Sequence, residues 1–127
     1  MTLVVTDADR LVVVRQHRPG AAGPVLELPA GKLEPGEDVE RAADRELAEE
    51  CGLAVSRWTG IGSFWAAPAY STEHVSVLAG VCSGEAHAEP DPDEQISVER
   101  IAPAEAEARL EDAVSLAALA LWRAWSA

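Results

Sequence analysis

The sequence predicts an α/β domain built on a mixed β-sheet with helices on both sides. Three observations carry this. β-branched and apolar runs recur through the first half of the chain. One strongly signalled helix interrupts them. A further β-rich stretch is followed by helical sequence to the end, so the order reads β-β-β-α-β-β-β-α-α.

The elements follow in order. Thr2–Thr6 and Leu11–Gln16 read as strands around the turn Asp7-Ala8-Asp9-Arg10. Arg18–Pro24 reads as a Gly/Pro loop, Val25–Leu28 as a short strand, and Pro29–Gly36 as a second loop. Asp38–Cys51 is a helix, with acidic residues at its start, good formers inside and Gly52 just past its end. Ala54–Trp65 and Thr72–Cys82 are β-rich, and Gly84–Glu94 is an acidic, proline-containing loop. Gln95–Ile101 reads as a strand, and Pro103–Leu110 and Asp112–Trp125 as helices.

Composition narrows the function. A chain of 127 residues with 48% hydrophobic and 25% charged residues is a single globular domain, not a disordered chain or a fibre. Twenty-two Asp and Glu against ten Lys and Arg give a formal charge of −12. That balance argues against a nucleic-acid partner, which needs a basic face to neutralise phosphates. An acidic protein still handles phosphates if it recruits a divalent cation first. No stretch is long and apolar enough to span a membrane, so no membrane partner is expected. Cys51 and Cys82 make no disulfide framework, and Asp7, Asp9 and Arg10 interrupt any leader-like N-terminus. A cytoplasmic location is the expectation.

The chemistry concentrates in residues 31–53. On a wheel at about 100° per residue, Glu46, Glu49 and Glu50 fall on one arc with Val39, Ala42 and Ala43. The carboxylates therefore extend the apolar stripe. Like charges one turn apart cost roughly 0.2–0.5 kcal/mol even when exposed, and partial burial adds to this. A hard cation such as Mg²⁺ or Mn²⁺ removes the conflict, since clustered carboxylate oxygens are its preferred ligands. Arg45 stands one turn before Glu49 and can hold it through a forked hydrogen bond. The bland alternative is a solvated acidic helix face.

The pattern Gly31, Glu37, Arg45, Glu46, Leu47, Glu49, Glu50, Gly52, Leu53 resembles the Nudix box, G-x5-E-x7-R-E-U-x-E-E-x-G-U, at every specified position. Coincidence at that level is on the order of 10⁻⁹ per starting position. The resemblance implies a Nudix hydrolase with an α/β/α sandwich fold, in one domain over residues 1–127, that cleaves a nucleoside diphosphate linked to another group. It further implies Glu46, Glu49 and Glu50 as metal ligands, with a backbone carbonyl at Ala30 or Gly31. Glu37 and Arg45 would shape the helix and orient Glu49.

Flanking residues resemble the ADP-ribose pyrophosphatase subgroup. Leu26-Glu-Leu-Pro-Ala-Gly-Lys-Leu-Glu34 looks like its lead into the box, and Arg15-Gln-His-Arg18 like its phosphate-contacting Arg-Gln-Tyr-Arg. Pro68 lies 16 residues beyond Gly52, as the subgroup's proline does, and Pro68-Ala-Tyr-Ser-Thr-Glu73 resembles its Pro-Gly-Phe-Ser-Asp-Glu. Leu110–Leu116 resembles the opening of its last helix. Residues 88–98 resemble its acidic loop, which makes Glu94 the expected base, with Glu89, Asp91 and Asp93 as alternates. The subgroup implies Mg²⁺-dependent cleavage of ADP-ribose to AMP and ribose 5-phosphate by a homodimer, with Arg18, Pro68 and Glu73 at the substrate. The alternatives are another nucleotide sugar, a damaged nucleoside triphosphate, or a catalytically silent nucleotide-binding module. Structural roles also stay open: Pro68 as a strand terminator, Arg18 and the acidic loop as solvated charge. Trp65 and Tyr70 read equally as base-stacking or packing residues, and His17 and His74 as packing or surface residues. One departure is plain. The subgroup commonly carries extra N-terminal strands, which help form its dimer and adenine site. Here only about ten residues precede the strand Leu11–Gln16.

Overall fold

The computed structural model describes residues 1–89, 91–93 and 95–127. Seven strands occur among the described residues: β1 Thr2–Asp7, β2 Arg10–Arg18, β3 Gly23–Glu27, β4 Leu53–Val55, β5 Thr59–Trp65, β6 His74–Glu85 and β7 Ile96–Ile101. Three α-helices join them: α1 Val39–Cys51, α2 Ala106–Arg109 and α3 Ala113–Ser126. The sheet runs β3-β2-β1-β6-β4, with β5 also on β6 and β7 also on β2. β1 and β6 are parallel and the other pairs antiparallel, which makes the sheet mixed.

The core explains the sandwich. Along β1, Val4 joins Leu11, Val13, Leu26, Leu28, Ala118 and Leu119 under α2 and α3. Its neighbours Leu3 and Val5 join Val12, Ala43, Leu47 and Leu78 under α1. Successive strand residues point to opposite faces, so a continuous apolar run is what a sheet covered on both sides requires. The resulting α/β/α layering is the architecture expected from the sequence.

Several boundaries differ from the sequence reading. β2 continues to Arg18, which pairs with Gly23, so the expected loop shrinks to a 3₁₀ turn at Pro19–Ala21. Pro24 is accommodated because β3 ends the sheet order on that side. β6 reaches Glu85 because Leu53 pairs with Glu85 and the Ala86 N–H bonds the Gly52 carbonyl at 3.0 Å. The acidic loop therefore starts two residues later. Ala54–Trp65 is two strands, β4 and β5, separated around the buried Trp58, whose indole N–H bonds Asp44 at 2.7 Å. Pro103–Leu110 is a 3₁₀ turn followed by the four-residue α2, not one helix.

The two long helices begin as their sequences dictate. The Asp38 carboxylate accepts from the backbone N–H groups of Glu40 and Arg41, both at 3.0 Å. Gly52 ends α1 in the left-handed region, at φ +66°, where only glycine sits without a steric cost. Asp112 caps α3 through the Ser115 N–H at 3.0 Å. No helix among the described residues is long and apolar enough to cross a membrane.

Candidate active site

The loop between β3 and α1 is tied across the end of β1. The Leu3 N–H donates to the Pro29 carbonyl at 2.8 Å, and Ala30 forms an isolated antiparallel bridge with Thr2. The Gly31 carbonyl accepts from the Met1 ammonium at 2.9 Å. From the other side, the Ser115 hydroxyl accepts the buried Leu28 N–H at 2.9 Å. These bonds fix where Ala30 and Gly31 face.

Gly31 then meets α1. A β-carbon at this position would lie 2.1 Å from Glu46 Cδ and 2.5 Å from Glu46 Oε1. The absent side chain is what lets the Glu46 carboxylate lie against the backbone of the loop. This close approach, not a special φ, is the demand placed on residue 31.

Arg45 locks loop to helix. Its Nε and Nη2 both donate to Glu37 at 2.9 Å, and Nη2 also donates to the Lys32 carbonyl at 2.9 Å. Its Nη1 donates to Glu46 Oε1 at 2.9 Å and lies 3.5 Å from Glu49 Oε2. The Glu34 N–H returns to Glu37 Oε1 at 3.0 Å. The fork from Arg45, then the Glu34 N–H, hold the Glu37 carboxyl down at about 2. Arg45 is in turn raised above its ordinary value, chiefly by Glu37.

The sign of the Glu37 shift gives a testable window. A carboxyl lowered on folding contributes stability above its unfolded value, near 4.5, and loses that contribution as pH falls through about 2. The stability difference between wild type and Glu37→Gln should be constant above pH 5 and shrink steadily towards pH 2. Denaturant titrations across that range measure it. A difference independent of pH would remove the lock from the acid stability of the fold.

Beside the lock lies a cavity of about 460 Å³, which Glu46 lines. Its lining includes the acidic residues Glu27, Glu46, Glu50, Glu73 and Asp112 and the basic residues Arg18 and Lys32. Ala30 and Gly31 also line it. Of the residues singled out by sequence, Arg18, Ala30, Glu46, Glu50 and Glu73 therefore share one cavity. Glu49 and Arg45 stand beside it on α1, and Pro68 is on an exposed turn outside its lining. Glu94 lies outside the described residues. Its alternates Glu89, Asp91 and Asp93 are exposed. Trp65 is 59% and Tyr70 88% exposed, and Trp65 meets His74 edge-on at 4.7 Å. His17 and His74 are at the surface.

The donor set suits a hard divalent cation. Glu46 and Glu50 are one helical turn apart on the half-buried flank of α1, beside the loop that carries the Ala30 and Gly31 carbonyls. All of these are oxygen donors, the type Mg²⁺ and Mn²⁺ select. Among the described residues no group of three His, Cys, Asp or Glu side chains is placed to hold a metal ion. Arg45 explains part of this, because its guanidinium stands between Glu46 and Glu49 as their counter-ion.

Sequence reasoning missed Glu27, Gln16, Asp112 and Ser115. Glu27 stands between two core leucines in Leu26-Glu-Leu28, an alternation that reads as one buried and one solvated face. The second face is instead the cavity wall.

The NUDIX domain pattern matches residues 1–122. An ADP-ribose pyrophosphatase of Bacillus subtilis is 37% identical over 116 residues, covering 90% of this chain and 59% of the relative. A methanol dehydrogenase activator of Bacillus methanolicus is 35% identical over 98 residues, covering 76% of this chain and 53% of the relative. The chain thus spans little more than half the length of these curated relatives. A crystal structure of an ADP compounds hydrolase superposes with a TM-score of 0.88 at 26% identity, over 98% of this chain and 70% of that one. On the box, the fold and these matches together, the chain belongs to the NUDIX domain family.

Proposed function

We propose that this chain hydrolyses the diphosphate of a nucleoside diphosphate derivative, and that ADP-ribose is its substrate, giving AMP and ribose 5-phosphate. The observation that carries the reading is the placement of Glu46 against the Gly31 backbone, with Glu50, Ala30 and Arg18 lining the same cavity. The ADP-ribose pyrophosphatase relative supports the choice of substrate.

Glu46, Glu49 and Glu50, with the Ala30 carbonyl, would hold Mg²⁺, with Mn²⁺ as a substitute. A divalent cation there would supply neutralisation of diphosphate charge and a more acidic water. The chain's own residues do the rest. Arg18 binds phosphate, and Glu73 faces the same space. Arg45 orients Glu46 and Glu49 while Glu37 holds Arg45. Water attacks one phosphorus, the bridging P–O bond breaks, and Glu94 takes the proton, with Glu89, Asp91 and Asp93 as alternates. Preorganised charge supplies most of the acceleration, as in phosphoryl transfer generally. A cytoplasmic homodimer completes the reading, its two cysteines both being free thiols. Sedimentation showing only monomer would remove the dimer.

A hydrolysis panel tests the reading: ADP-ribose, other nucleotide sugars, dinucleoside polyphosphates and nucleoside triphosphates, with Mg²⁺ and with chelator. AMP release from ADP-ribose, lost with chelator, is the expected result. Cleavage of another member alone would keep the chemistry and change the substrate. That second reading is favoured by the structural neighbour, whose description names ADP compounds broadly. Metal-dependent binding without cleavage of any member would make the chain a silent nucleotide-binding module.

A further inference from the structure

We infer that Glu27 is a positioning residue, which holds Arg18 against the β2–β3 hairpin, turned to the phosphate space and kept off Glu50. The inference rests on the proposed phosphate and metal roles of Arg18 and Glu50.

The hairpin register sets up the contact. Val14 pairs with Glu27, Gln16 with Val25 and Arg18 with Gly23, so these residues share one face. Val14 and Val25 are buried beside Glu27, which is itself 7% exposed. A carboxylate so placed needs a matched cation and full hydrogen bonding. Arg18 supplies both by folding back along the hairpin. Its Nε donates to Glu27 Oε2 at 2.7 Å and its Nη2 to Oε1 at 3.0 Å. The fork fixes the guanidinium plane. The Gln16 side-chain oxygen accepts from Nη1 of the same guanidinium at 2.8 Å, and Arg18 and Gln16 both line the cavity.

Competition makes the fork matter. Asp112 and Glu50 also act on Arg18 electrostatically. An Arg18 released from Glu27 would be drawn towards them. Pairing with Glu50 would place a cation where a metal is proposed, and would remove a phosphate contact at the same time. Glu27 is buried and bidentate, whereas the Arg18 side chain is 50% exposed, so the geometry favours the hairpin partner. The charge effect alone predicts the reverse for substrate. Removing Glu27 makes the wall less negative and should tighten binding of an anion.

The test is a double-mutant cycle on the full chain with Glu27→Gln, Arg18→Gln and the pair. Two quantities are read: Mn²⁺ affinity by titration with the metal alone, and KM and kcat on whichever panel member wild type cleaves. Glu27→Gln should weaken Mn²⁺ and raise KM about tenfold each, with kcat falling far less. In the Arg18→Gln background the same change should move either quantity less than twofold. Unchanged Mn²⁺ affinity and KM in a folded Glu27→Gln protein would overturn the inference. So would a lowered KM, or equal effects in both backgrounds. If Glu27→Gln fails to fold, Glu27→Asp replaces it, keeping charge and losing reach, with the same loss expected. If wild type cleaves no panel member, the proposed function falls and the Mn²⁺ titration alone decides the role of Glu27.

Discussion

Glu50→Gln should lower turnover by about 10²–10³-fold while leaving the fold unchanged, the size expected when one preorganised electrostatic contact is lost. Glu50 lines the cavity one turn beyond Glu46 on α1. Glutamine has the same shape and nearly the same helix propensity, so the backbone has no reason to respond. What changes is charge and donor strength at one position. A neutral amide oxygen is a poorer ligand for a hard cation than a carboxylate. The helix also loses a like-charge neighbour of Glu46, so its stability should stay within about 0.5 kcal/mol of wild type. Steady-state rates at saturating Mg²⁺ and a thermal unfolding curve measure the two effects. A near-normal rate would remove Glu50 from the ligand set. A rate loss that tracks a fall in melting temperature would make Glu50 a residue of the fold.

The residues of α1 show why so much is legible in the sequence. The helix carries its own start at Asp38, its own stop at Gly52 and a period that puts the three glutamates beside the apolar stripe. All of that information is local. The structure adds that Ala42, Ala43 and Leu47 are buried while the glutamates are half-buried at the margin, as the wheel requires. The continuous apolar runs of β1 and β2 likewise announce a sheet covered on both faces.

What is not legible is non-local. β2 reaches Arg18 only because a partner strand lies opposite. β6 passes Gly84 because β4 waits there. Glu27 is on the cavity wall because α3 brings Asp112 and Ser115 to the same space, more than eighty residues later in the chain. No window of sequence contains both sides of that wall. The same limit applies to Pro68, whose spacing from Gly52 suggests a substrate role, though the turn that carries it lies outside the cavity lining.

Gly31→Ala separates placement from folding most sharply. The added methyl would sit 2.1 Å from Glu46 Cδ, closer than any packed contact, so one partner must move. The loop backbone cannot easily yield. It is held by the Leu3–Pro29 bond, the Ala30–Thr2 bridge and the Met1–Gly31 bond. Glu46 is the far end of a flexible side chain and yields first. Its bond to Arg45 Nη1 would break, and its carboxylate would leave the backbone carbonyls with which it is proposed to share a metal. The stability cost should therefore be modest, about 1–3 kcal/mol. The rate should fall by at least about 10²-fold, since roughly 1 Å of misplacement is enough for that. Arg45 would keep Glu37, so α1 should stay docked. A melting curve, a rate and a Mn²⁺ titration on one sample decide it. Weak Mn²⁺ binding with a folded protein is the expected pattern. Wild-type Mn²⁺ affinity would show that Glu46 reaches the metal by another path, and that the glycine serves only the loop.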